Sequence, residues 1–212
     1  MELYFFSGNT KFINNFARFL LNFDTTSFLN PKLMKGIVFT EFIEMVESKF
    51  GFEMMDDVIE SANLPSGGIY TAVGTYDHSE MVQLVVGLSQ RTKIPVSNLL
   101  KIYGKHLFVI LMKSYAHFFP KIESAFDLFE QIDTHIHVEV LKLYPDAELP
   151  KFYTKRIDSN TIEMLYQSER KMADFADGLI EAALEYYNET ATVQIVNLND
   201  SGSLVKFIIS RA

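Results

Sequence analysis

The apolar residues of this chain first change period near Pro145, and that change limits the folds open to it. From Met34 to Tyr144 they recur every three or four residues, the spacing of helices packed on one face. Ile37 and the run Glu41–Val46 mark one helix; Met54, Met55, Val58, Ile59 and Ala62 mark a second, with Gly51 between. A Pro65–Gly68 turn and a short apolar stretch, Ile69–Val73, follow. Asp77, with Glu80 three residues on, predicts a capping box opening a helix through Arg91. Pro95 opens another, with Leu99, Leu100, Tyr103, Leu107, Ile110 and Leu111 at helical spacing, and Pro120 opens a long one ending near Tyr144-Pro145. Beyond this, Lys151–Ile157 and Thr161–Ser168 alternate around Asp158-Ser-Asn160, which predicts a hairpin. Lys171–Tyr187 returns to helix, and Thr192–Val196 with Leu204–Ile209 predicts a second hairpin around Asn199–Gly202. The fold class is therefore α+β: a helical N-terminal subdomain packed on a C-terminal one that carries a small antiparallel sheet and helices.

Residues 1–33 read differently. They hold seven of the nineteen phenylalanines, are rich in Asn and carry few charges. Lys11–Phe23 can form one amphipathic helix with Phe12, Phe16, Phe19 and Leu20 on a face, after which Asn30-Pro31 breaks the pattern. Three readings are open for this extension: a docking helix, a membrane-surface helix, or a start codon assigned too early, with Met34 the first residue. The domain organisation is then an extension over 1–33 and one domain over 34–212, a length that suits a single sizeable core.

Composition narrows function. The net charge of −8 argues against nucleic acid or an anionic membrane surface as the main partner. There are no cysteines, which rules out disulfides, thiol switches, iron–sulfur clusters, thiolate haem ligation and cysteine zinc sites. No apolar run reaches the roughly 18 residues of a membrane span, and the N-terminus lacks the pattern of a signal peptide. The expected location is the cytoplasm.

Five histidines are present: His78, His106, His117, His135 and His137. Any one, taken singly, fits a surface or core role. His135 and His137 are two residues apart, roughly 200° around a helix, so they cannot share one metal from one face. His137 keeps the apolar stripe of Val140 and Leu141, and a buried imidazole with one free nitrogen is what an axial iron ligand requires. About thirty residues on, Tyr166, Ser168 and Arg170 alternate, which on a strand would aim them the same way. They form either an ordinary solvated face or a cluster of donors suited to two adjacent carboxylates.

Together with the Met34-Lys-Gly-Ile start, Gly104, the stretch from His137 through Tyr144-Pro145 to Pro150, and Tyr166-x-Ser168-x-Arg170, these residues resemble the H-NOX family of haem NO/O2-binding domains, related to the haem domain of soluble guanylate cyclase. The resemblance runs from Met34 to the end. It implies haem b held between the two subdomains, with His137 as the proximal iron ligand and Tyr166, Ser168 and Arg170 clamping the propionates. It further implies that Pro150 presses on one pyrrole and that Gly104 lies near a hinge. Oxygen-binding members carry a distal tyrosine whose place here falls on Phe175; the neighbouring distal positions fall on Val38, Phe42 and Leu107. A distal wall without a donor disfavours O2, which depends on a hydrogen bond when bound, and leaves NO and CO as ligands. The zinc-binding cysteines of many bacterial members have no counterpart here.

The function implied is a haem-based sensor of NO with no catalysis of its own. It would signal through release of the proximal histidine to a histidine kinase or a diguanylate cyclase/phosphodiesterase acting in trans. Two rival classes are a haem enzyme turning over NO or peroxide, which needs a distal acid or base, and a haem-free scaffold, against which the joint presence of ligand and clamp argues.

Overall fold

A computed structural model describes residues 33–115 and 122–212, which fall within one compact unit, Lys32–Ala212. The Lys11–Phe23 helix, His117 and the expected helix start at Pro120 lie outside the described residues.

The helical half opens with a three-residue strand, β1 (Leu33–Lys35), followed by α1 (Gly36–Phe50) and α2 (Phe52–Ser61). Strand β2 (Thr75–Asp77) pairs antiparallel with β1, Leu33 opposite Asp77, before α3 (His78–Thr92) and α4 (Val96–Tyr115). Each helix turns its apolar stripe inward, so that Phe39, Phe42, Met45, Leu84, Leu99 and Tyr103 form one core. Asp77 does cap α3, its carboxylate accepting from the Ser79 amide at 2.7 Å. The other half of the expected box is absent, because Glu80 turns into the core. There it accepts from the Ser66 amide at 3.3 Å, from the Ser66 hydroxyl, and from the Tyr70 hydroxyl at 2.9 Å. A buried carboxylate is better served by three donors than by one exposed amide.

The second half begins with α5 (Ala125–Gln131), where Ser124 caps by accepting from the Asp127 amide at 3.1 Å. The long helix expected through Tyr144 is interrupted. Ile132–Ile136 is a π-helical turn, with the His137 amide donating to the Ile132 carbonyl five residues back, and α6 (His137–Leu143) completes the rod. Then come β3 (Lys151–Arg156), β4 (Thr161–Gln167), α7 (Ala173–Tyr186), β5 (Ala191–Asn197) and β6 (Leu204–Arg211), giving a four-stranded antiparallel sheet in the order β3-β4-β6-β5. One sheet face, with Phe152, Ile162, Met164, Val205, Phe207 and Ile209, packs with α5 and α7 as a second core. Both hairpins stand where the alternation places them, and α7 where the helical period does.

The two cores meet where α4 crosses α7. A Cβ on Gly104 would overlap the Phe175 carbonyl, and one on Gly178 would overlap the Lys101 carbonyl, so only glycine lets the two backbones touch here. Ion pairs flank the crossing: Lys101 to Asp177 at 2.7 Å and to Glu181 at 2.6 Å, and Lys105 to Glu181 at 2.9 Å and to Glu185 at 2.7 Å.

Candidate functional site

A cavity of about 320 Å³ lies between the two cores. Hydrocarbon from α1, α4, α5, α6 and α7 forms most of its wall, including Val38, Leu107, Leu111, Phe129, Val140 and Phe175. Of the residues singled out in the sequence, Val38, Leu107, His137, Pro150, Tyr166, Ser168, Arg170 and Phe175 all line it. Phe42 does not. It is fully buried behind the wall, edge-on to Tyr103 at 5.3 Å. Tyr103 in turn donates to the Val38 carbonyl at 2.5 Å and packs on Phe175 at 5.1 Å, so Phe42 supports the wall from behind.

His137 enters at the junction of the π turn and α6. Its Nδ1 lies 2.7 Å from Asp133 Oδ1, while Asp133 Oδ2 accepts from the Phe152 amide at 3.0 Å. The ring is thereby held by Nδ1, which leaves Nε2 as the nitrogen that could take a further partner.

The three donors do not share a strand face as the alternation suggested. β4 ends at Gln167; Ser168 and Arg170 lie in the turn before α7, where Lys171 adopts a left-handed φ of 56°. Their convergence comes from turn hydrogen bonds. The Tyr166 hydroxyl accepts from the Met172 amide at 3.1 Å, and the Ser168 hydroxyl accepts from the Arg170 amide at 3.2 Å. Burial pushes the Tyr166 phenol up, so it stays a donor, and burial pulls the Arg170 guanidinium down from its ordinary value. Arg170 donates to the Leu33 carbonyl at 2.5 Å and to the Glu148 carbonyl. Two of its five N–H groups are so engaged, one on each terminal nitrogen, which leaves three.

Other polar residues at the cavity were not picked out in the sequence. Tyr115, ending α4, and Tyr144, following α6, line it and share a hydrogen bond that raises the Tyr115 phenol, with burial second. Asp133 could have been found, since it stands four residues before His137; the signal was simple i,i+4 spacing. His106 is not part of the cavity wall. It faces Glu41 across α1 and α4, Nε2 to Oε2 at 3.6 Å, and burial, then Glu44, raises the Glu41 carboxyl.

The chemistry of this set is narrow. Among the described residues, no three His, Asp or Glu side chains gather so as to hold a bare metal ion. A metal at His137 would have to bring its other ligands with it. A flat apolar macrocycle with acidic side chains fits both the hydrocarbon wall and the Tyr166–Ser168–Arg170 cluster.

A sequence model of the haem-NO-binding family matches residues 35–195. The chain belongs to this family. Solved H-NOX structures share its fold. The Fe(II) unliganded H-NOX protein from K. algicida is 41% identical, covering 84% of this chain and 97% of that one, with a TM-score of 0.81. The H-NOX of Shewanella woodyi, solved in solution in the Fe(II)CO state, is 46% identical over 84% of this chain and 95% of that one, with a TM-score of 0.73. The H-NOX protein from S. oneidensis in the Fe(II)NO state is 26% identical over 84% and 99%, with a TM-score of 0.78. H-NOX domains are haem-based gas sensors, and in this H-NOX chain a cavity lies between the two cores.

Proposed function

We propose that this H-NOX chain is a haem-based sensor of NO, also taking CO and discriminating against O2. The convergence of His137 and the Tyr166–Ser168–Arg170 cluster on one apolar cavity supports this reading more than any other observation. Bound haem b would supply a ferrous iron able to take a diatomic gas. His137 would hold it through Nε2, while Tyr166, Ser168 and Arg170 would grip the two propionates by charge-assisted hydrogen bonds. Pro150, on the cavity wall just ahead of β3, would press on the macrocycle from the side of the Tyr144–Pro150 loop.

Val38, Leu107 and Phe175 offer no hydrogen-bond donor, so bound O2 would lack the bond its partial negative charge needs; NO and CO do without one. Val38, Leu107 and Phe175 are likewise neither acids nor bases, which turnover would require. Release of His137 on NO binding would free the stretch from Ile132 to Leu143, which has no buried residue, and the signal would pass in trans to a histidine kinase or a diguanylate cyclase/phosphodiesterase. Among the described residues no helix is long and apolar enough to cross a membrane.

Absorption spectra of the anaerobically reduced protein, then with NO, then with air, test the reading. A five-coordinate ferrous spectrum that NO shifts and air does not convert to an oxy form is expected. A stable oxy complex would overturn the discrimination against O2, and absence of any Soret band would overturn haem binding. Replacing His137 with Ala should abolish haem retention or make it depend on added imidazole; unaltered retention would refute the ligand assignment.

A further inference from the structure

The π-helical turn has a consequence for His137. Residues four apart on a helical turn face the same side, close enough for their side chains to meet. Asp133 is the second residue of that turn, and His137 immediately follows it. Asp133 therefore reaches His137 Nδ1 with one carboxylate oxygen, at 2.7 Å. Its other oxygen takes the Phe152 amide, at 3.0 Å, on the first residues of β3. The carboxylate is thus pinned to the sheet, and the imidazole is pinned to the carboxylate. The ring of Phe152 lies 6.1 Å from that of His137 and limits its swing.

We propose that Asp133 is the positioning residue for His137. By accepting a hydrogen bond from Nδ1–H it fixes Nε2 as the lone-pair nitrogen and sets the ring's orientation toward the cavity. It also places a negative charge behind the ring, which strengthens the bond Nε2 makes to a metal. This inference rests on the haem site proposed above. It adds that bond strength, and with it the ease with which His137 is released, is set by a residue that never touches the cofactor.

Asp133→Asn separates charge from shape. An amide has one oxygen, so it cannot accept from both His137 Nδ1 and the Phe152 amide; one donor must face the NH2 group. In the haem-loaded ferrous protein the iron–histidine stretching frequency, read by resonance Raman, is expected to fall in Asp133→Asn and further in Asp133→Ala. The NO complex is expected to shift toward the form in which His137 is detached. Haem transfer to an apomyoglobin acceptor should accelerate roughly 10- to 100-fold, the usual effect of losing such a partner. A merely structural Asp133 could speed haem loss but would leave the stretching frequency of the remaining haem-bound fraction unchanged, and that result would overturn the proposal.

Should either variant fail to fold, the unmodified protein still decides. In its diamagnetic ferrous CO complex the His137 Nδ1 proton is expected to resist exchange with solvent, and a rapidly exchanging one would refute the Asp133 bond. A failure of the haem site itself looks different: the unmodified chain would then show no Soret band at all.

Discussion

Replacing Tyr166 with Phe removes one oxygen atom and little else, and the structure says what that oxygen does. Tyr166 is 3% exposed, with its ring between those of Phe152 at 5.5 Å and Phe207 at 6.5 Å. Phe keeps both contacts. The hydroxyl accepts from the amide of Met172, itself buried, at 3.1 Å. Without it that amide has no acceptor, and a buried unpaired donor costs about 1–3 kcal/mol. The cofactor-free protein should lose about 2 kcal/mol, with a melting point lower by roughly 4–8 °C for a domain of this size. Urea unfolding followed by circular dichroism should show a lower midpoint at constant slope.

The same substitution removes a donor from the carboxylate clamp. A hydrogen bond to a charged group contributes about 1.5–3 kcal/mol, so haem affinity should fall roughly 10- to 150-fold. Two losses of different origin are thus expected from one atom, one measured without haem and one with it. A stability change under about 0.5 kcal/mol in the cofactor-free protein would refute the reasoning, because Met172 would then have found another acceptor.

Phe175→Tyr adds a phenol to a wall that has no donor among Val38, Leu107 and Phe175. It should raise O2 affinity roughly 5- to 150-fold, read by O2 titration of the ferrous protein, and an unchanged affinity would mean position 175 does not face the bound gas. Asp77→Ala should cost about 1 kcal/mol through the lost cap on α3. The Ser79 amide holds the Asp77 carboxyl below its ordinary value. Its contribution is therefore fully present above the unfolded aspartate value of about 4 and disappears as pH falls through the lower folded value. Urea midpoints against pH check this: the difference between the unmodified and Asp77→Ala proteins should shrink on acidification, and a constant difference would sink the cap.

What the chain reveals before folding follows the range of the interactions involved. The two hairpins and α7 are legible because period-two and period-3.6 patterns of apolar residues record which face is buried. Strands β1 and β2 have three residues each, too few to show a period, and are held by pairing across forty residues of chain. The π turn is silent for another reason. Phe129, Ile132, Ile136 and Val140 keep spacings an α-helix would also produce, and only the hydrogen-bond offset differs. Glu80 stands where a capping box wants it, but partners at Ser66 and Tyr70 outbid the local amide, which no local rule anticipates. The site shows the same division. His137 and the Tyr-x-Ser-x-Arg cluster are visible as residue types at set spacings, whereas Phe42 looks like a wall residue until Tyr103 is seen standing in front of it. That Ser168 and Arg170 belong to a turn depends on Lys171 accepting a left-handed backbone, for which a lysine gives no warning.

The distribution of burial bears on how such a site could signal. The α4–α7 crossing is closed by backbone contact at Gly104 and Gly178 and bordered by ion pairs, so it resists opening. The stretch carrying His137 is the opposite: from Ile132 to Leu143 no residue is buried. Few apolar contacts hold it, so its order depends on the Asp133 bonds and on whatever fills the cavity beside it. An element so lightly packed can shift at low cost when one bond to it is broken, which a helix buried on all sides could not do. The loop that follows it is not free to drift. Lys35 Nζ meets Asp146 at 3.1 Å, Thr75 donates to the same carboxylate at 2.9 Å, and Arg170 donates to the Glu148 carbonyl. A displacement beginning at His137 therefore reaches a loop tied to the β1–β2 ribbon and to the clamp. Releasing one imidazole would pull on both subdomains, and the lightly packed stretch between two fixed anchors is the part a partner protein could read.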